Sequence, residues 1–172
     1  MKIIGINAYH ADSSACLIID GEIISAVEEE RFTRIKHWAG FPIKSINYCL
    51  NNSGLKLSDI DFISVNRDNS ANFLRKIIHL LSTFPNPKLI LERIKNREQW
   101  SNSNTQNQIK KNFREDNFRG KYINVEHHLA HLSSCFYVSP FSSSCILSID
   151  GFGDFASTVL GYGTNNNIKI DK

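Results

Sequence analysis

KIIGINAYHADSSACLIIDGEIISAVEEE, residues 2–30, decides how this chain is read. It contains three β-rich runs: KIIGIN (2–7), SACLIID (14–20) and EIISAVEEE (22–30). A polar turn carrying Asp12 separates the first two. Asp20-Gly21 separates the second and third, and such a pair is a strong hairpin signal because both turn positions take positive φ. The same order returns near the other end of the sequence. There SCILSID (144–150) ends in Asp150-Gly151-Phe152-Gly153-Asp154, FASTVLGYG (155–163) pairs back, TNNN (164–167) turns, and IKID (168–171) opens a third strand.

Between these repeats, Pro42 starts a helix whose apolar face is Ile43, Ile46, Tyr48, Cys49 and Leu50, running to about Asn52. Ser58-Asp59 leads into a buried strand, DFISVN (61–66). NFLRKIIHLLSTF (72–84) has helical periodicity and stops before Pro85, and LILERIKNREQW (89–100) reads the same way. SNSNTQNQ (101–108) has no apolar residue and reads as a mobile link, with a weaker helical stretch following to Asn117. KYINVE (121–126) is a strand that runs directly into VEHHLAHLSSCFY (125–137).

The duplicated β-β-β opening resembles the two-lobed, ribonuclease H-like α/β folds of the actin, sugar-kinase and Hsp70 type. That resemblance implies a first lobe over residues 1–143, interrupted by a basic helical insertion at about 67–120. It also implies a second lobe only begun at 144–172. Three strands alone would leave a free sheet edge and an uncovered apolar face, so the second lobe is expected to be truncated.

Hydrophobic residues are 41% of the chain and charged residues 22%, as in an ordinary globular protein. A net charge of +3 does not by itself point to nucleic acid. Residues 67–120 hold eleven Lys/Arg against five Asp/Glu. No aromatic interleaving accompanies them, which favours a solvated insertion over an RNA-binding face. The four cysteines, Cys16, Cys49, Cys135 and Cys145, form no CxxC pair and read as buried free thiols of a reducing compartment. No apolar run reaches membrane-spanning length and the N-terminus lacks a signal-peptide pattern, so the expected location is cytoplasmic.

His127 and His131 stand at i and i+4 on a helix starting near Glu126, which brings both imidazoles to one face, while His128 points elsewhere. Such a pair is a surface feature or half of a metal site. Asp150, at the end of the following strand, adds a carboxylate, and a mixed N/O set suits iron(II), zinc or manganese better than calcium or magnesium. Gly151 and Gly153 leave backbone N–H groups approachable by phosphate, or else simply make a tight turn. The first hairpin gathers Tyr9, His10, Asp12, Ser13 and Ser14, able to bind phosphate or accept a proton, although Ser and Asp are also ordinary turn residues. In EEERFTRIKHWAGFP (28–42), the three acids read as a solvated strand exit. The cations Arg31, Arg34, Lys36 and His37 read as a loop for an anionic substrate.

GINAYHADSSACLIIDGEIISAVEEERFTRIKHWAGFP (5–42), VEHHLAHLSSCFYVSPF (125–141) and SIDGFGD (148–154), in this order, resemble the N-terminal region of NodU/CmcH-type carbamoyltransferases. The resemblance covers residues 1–66 and 121–163. It implies an enzyme that makes carbamoyl adenylate from carbamoyl phosphate and ATP, then passes the carbamoyl group to a hydroxyl of a small-molecule or sugar-derived acceptor. It also implies a divalent metal, usually iron, with His127, His131 and Asp150 as ligands. His10 and Asp12 would be catalytic, with His10 the base. Ser14, Arg34, Lys36, His37, Gly151 and Gly153 would face the intermediate or the nucleotide. A further metal ligand and the adenylate-forming domain lie outside these residues, so turnover is expected to need the remainder, in the same chain or another. The alternatives are a non-catalytic nucleotide- or metal-binding remnant, or a relative of the tRNA threonylcarbamoyl-transfer proteins.

Overall fold

The computed structural model describes residues 1–68, 70–83, 88 and 102–171. The helix expected over 89–100 lies outside the described residues. The chain forms two compact units, residues 1–66 with 92–124 and residues 67–91 with 125–172.

The first unit is a mixed α/β layer. β1 (Lys2–Asn7), β2 (Ser14–Ile19) and β3 (Glu22–Glu28) form an antiparallel meander, and β4 (Phe62–Val65) and β5 (Lys121–Asn124) add to it in parallel. The sheet order is β3-β2-β1-β4-β5. Asp20 (φ 51°) and Gly21 (φ 91°) make the tight hairpin that their identities demand. A short α1 (Glu30–Thr33) leaves β3, and α2 (Ile43–Ser53) packs on β2 and β3. Ile4, Ile6, Ala15 and Leu17 from the strands meet Ile46, Cys49 and Leu50 from α2 in one buried cluster.

Residues 102–112, read from sequence largely as a mobile link, are instead a helix, α4 (Asn102–Asn112). Thr105, Ile109 and Phe113 recur every four residues and are all buried, the last two within the main core. Burial of this sparse stripe outweighs the weak helix propensity of the Asn, Ser and Thr around it. Asn104 Nδ2 also donates to the Tyr9 hydroxyl at 2.9 Å.

The second unit contains α3 (Phe73–Thr83), α5 (His127–Phe136) and an antiparallel meander of β6 (Ser143–Gly153), β7 (Ala156–Thr164) and β8 (Asn167–Asp171). Helix α5 packs on all three strands, so the histidine segment belongs with residues 144–171 rather than with residues 1–66. Leu132 and Phe136 form its core with Ile146. Gly161 and Gly163 of β7 lie directly under those two side chains, where a Cβ would come within 2.9 Å of Leu132 and 2.7 Å of Phe136. On the opposite face of the same strands, Leu147, Ile149, Leu160 and Tyr162 are exposed. No helix among the described residues is long and apolar enough to cross a membrane.

The cysteines divide. Cys49 is buried and Cys16 half-buried, but Cys135 and Cys145 are exposed, so the expectation of four buried thiols fails for the second pair.

Candidate metal centre and anion-binding loops

In the second unit, Glu126 caps α5 by accepting from Leu129 N–H at 2.7 Å. The helix then divides its histidines by direction. His128 is fully buried against the sheet, its Nδ1 2.8 Å from Ser148 Oγ and its Nε2 3.0 Å from Ala156 O. A carbonyl only accepts, so Nε2 carries the proton there, and His128 is a structural strut between β6 and β7. His127 and His131 share the neighbouring face, with their Nε2 atoms 3.1 Å apart.

Asp150 meets them from β6. The regular pairing of β6 with β7 breaks between Ile149 and Gly153, and Asp150 stands in that irregular stretch. Such breaks re-aim side chains near functional sites. Asp150 Oδ2 lies 2.5 Å from His127 Nε2 and 3.6 Å from His131 Nε2. One ligand atom from each of the three residues falls within 4.8 Å of the other two.

This donor set fits a transition metal. Two ligands held about 2.1 Å from one ion are roughly 3.0–3.4 Å apart when the angle at the ion lies between square and tetrahedral. The two imidazole nitrogens already show that spacing. The tighter imidazole–carboxylate contact is a hydrogen bond whose proton an ion would displace. The protonation states agree. Burial, and then the neighbouring His127, hold His131 below the ordinary histidine range. The hydrogen bond from His127, and then that from Gly151 N–H, hold Asp150 below the ordinary carboxylate range. Near neutral pH the pair therefore offers a neutral imidazole and an anionic oxygen.

The glycines expected to approach phosphate have other partners. Gly151 N–H donates to Asp150 Oδ1 at 2.6 Å. Gly153 lies flat against the His127 ring, where a Cβ would overlap Cδ2, Cγ and Nε2. Asp154, which the sequence reading left out of the site, is 9% exposed and accepts from His127 N–H at 2.9 Å. Its signal was available: an acid directly after a glycine-rich turn, suited to a helix N-terminus.

In the first unit, the β1–β2 turn and the 34–41 loop are pinned together. Ser13, fully buried, donates its N–H to Trp38 O at 2.9 Å and its hydroxyl to Gly40 O at 2.8 Å. Tyr9 N–H reaches Gly40 O at 3.2 Å. The result brings Asp12 to His37, Oδ1 to Nδ1 at 2.9 Å. Both residues have left-handed backbones, with φ of 63° and 56°. His10, Arg34 and Lys36 are exposed on the same two segments, and Ser14 sits in the ladder opposite Asn7 and Glu28. The acids at the end of β3 are not one solvated exit: Glu29 is 3% exposed and bonds the start of α2.

The bond to Asp12, and then that carboxylate's charge, raise the pKa of His37, with Glu30 and Glu28 adding to it. The pairing is therefore fully present below the ordinary histidine value and is lost as pH rises through the raised one. Replacing Asp12 by Asn should return the His37 midpoint towards about 6.5. Histidine ring resonances followed by NMR through the titration would show this, and an unchanged midpoint would mean the pair does not persist in solution.

A family model described as carbamoyltransferase N-terminus matches residues 2–172. The chain is 36% identical over 168 residues to the nodulation protein NolNO of Sinorhizobium fredii, covering 95% of this chain and 23% of that protein. It is 35% identical over 185 residues to an uncharacterized Synechocystis protein, sll1178, covering 96% and 28%. The chain thus spans about a quarter of the length of these two relatives. Among solved structures, YeaZ from Pseudomonas aeruginosa aligns with a TM-score of 0.48 at 10% identity, over 99% of this chain and 64% of that one. The resemblance carried by the three sequence motifs is borne out, and this chain belongs to the carbamoyltransferase N-terminus family.

Proposed function

We propose that this chain is the carbamoyl-transfer part of a metal-dependent carbamoyltransferase, whose intermediate is carbamoyl adenylate formed from carbamoyl phosphate and ATP. The observation that carries this reading is the convergence of His127, His131 and Asp150 in a protein of this family. These three residues would hold the ion, with iron(II) favoured over zinc or manganese for two imidazoles and one carboxylate. When bound, such an ion supplies Lewis acidity towards a carbonyl oxygen.

The reaction transfers the carbamoyl carbon from a phosphate oxygen to an acceptor hydroxyl. The new C–O bond forms at the acceptor, the bond to AMP breaks, and the hydroxyl proton must leave. Arg34, Lys36 and the imidazolium of His37 are the cations suited to holding the phosphate, the two long side chains being exposed and able to turn towards an anion. Asp12 acts through His37, favouring that ring's charged form and aiming it, while His10 of the same turn accepts the proton. The acceptor is a small hydroxyl compound. The β1–β3 and β6–β8 meanders are the equivalent openings of two ribonuclease H-like lobes in this reading, and the cytoplasm, where ATP and carbamoyl phosphate are made, is its place.

Metal content tests it. The chain purified without oxygen should carry near-stoichiometric iron or zinc. His131→Ala and Asp150→Ala should each lose it while circular dichroism shows the fold intact. A folded wild-type chain that takes up neither metal would overturn the reading and leave a non-catalytic relative of the family.

A further inference from the structure

Three groups in the second unit meet at Asp154. Its Oδ2 accepts from His127 N–H at 2.9 Å and from Asp68 N–H at 2.8 Å. Its own carbonyl accepts from Asn72 Nδ2 at 2.8 Å. One residue on, the Phe155 ring meets the His79 ring of α3 edge-on, centroids 5.3 Å apart. The turn that presents these groups is strained: Asp154 has φ 45° and Phe155 φ 68°, and neither is glycine. A phenylalanine in the left-handed region is an outlier, and such backbone persists only where surrounding bonds over-determine it.

The strain has a geometric reason. Gly153 must lie against the His127 ring, and Asp150 three residues earlier must reach that ring's Nε2. A two-residue turn directly after Gly153 is what returns the chain with Asp154 under the first N–H of α5. His127 N–H is one of the donors that a helix start cannot satisfy internally, and a carboxylate there is also favoured by the helix dipole. His127 is thereby held at its backbone by Asp154, across its ring by Gly153 and at its Nε2 by Asp150.

We propose that Asp154 is a positioning residue of the metal centre, fixing His127 and coupling it to the segment 67–83. It is not a ligand. It sets the place of a ligand, and through Asp68 and Asn72 it makes that place depend on the segment that opens α3. Displacing α3 would act on metal affinity by this route. The proposal rests on the metal-centre reading above.

Cobalt(II) titration of the chain, followed by visible absorption, is the test, with amide hydrogen exchange at residues 127–131 measured before any metal is added. Asp154→Asn keeps one acceptor oxygen and Asp154→Ala keeps none. Both should weaken cobalt binding, by about 10-fold to 100-fold, with Ala the weaker binder. Both should also speed exchange at the His127 amide. Asn72→Gly suits that residue's φ of 55° and removes only its side-chain bond. It should weaken binding several-fold with Asp154 in place, and it decides the matter if the Asp154 variants do not fold. Folded variants with wild-type cobalt affinity and unchanged exchange would overturn the proposal. If the wild-type chain takes no cobalt, the metal reading fails, and the exchange rates alone then decide whether Asp154 fixes His127.

Discussion

Gly153→Ala should strongly weaken metal binding while leaving most of the fold in place. The added methyl would overlap three atoms of the ring of His127, a buried residue whose Nε2 is held by Asp150. The ring cannot step aside without losing its alignment with His131, 3.1 Å away. Overpacking of this kind costs about 1–3 kcal/mol in stability. The effect on affinity should be larger, about 100-fold or more, the upper end for disturbing the setting of a ligand. Gly151→Ala is the matched control: a Cβ there meets nothing within 4 Å, so affinity should hardly change. Calorimetric titration of both variants with zinc would show the contrast. Equal, undiminished binding by the two would mean that the His127 ring does not rest on Gly153.

The second large effect is expected in the first unit, at Glu29. This carboxylate is 3% exposed and accepts three hydrogen bonds, from Lys44 N–H at 3.0 Å, Ser45 N–H at 2.7 Å and Ser45 Oγ at 2.7 Å. Ser45 is fully buried, so its donors have no water to turn to when the acceptor is removed. The acid also sits at the N-terminus of α2, where the helix dipole favours a negative charge. Glu29→Ala should therefore destabilise the protein by about 3 kcal/mol, since buried donors lose a charged acceptor. That is a large share of the ~5–15 kcal/mol available to a domain. Glu29→Gln retains one carbonyl oxygen and should lose roughly half as much. Urea unfolding of the three proteins would measure the order. A midpoint for Glu29→Ala equal to wild type would show that the cap contributes nothing.

Both residues show where a reading of the chain alone stops. The strands of residues 2–28, the Asp20-Gly21 hairpin and the meander of residues 143–171 were all legible, because each depends on alternation and turn chemistry within a few neighbours. The pairing of His127 with His131 was legible for the same reason, being a matter of helical spacing. Glu29 was different. Its neighbours Glu28 and Glu30 are acids of the same kind, and only the arrival of α2, fifteen residues later, makes the middle one a buried cap.

Asn102–Asn112 looked like a link because its composition is poor in apolar residues, yet Ile109 and Phe113 enter a core built mainly from residues 4–63. Asp12 and His37 were both singled out, but 25 positions separate them, and nothing local says that they meet. Gly153 was read as a glycine for phosphate, and the ring that needs its missing side chain lies 26 residues earlier. Short-range patterns thus determined most of the elements and nominated His127, His131 and Asp150 as a candidate metal-binding set. Packing between distant segments decided which acid is a cap, which glycine is a seat for a ring, and which carboxylate holds which histidine. Those outcomes depend on distances in space, which a one-dimensional pattern does not contain.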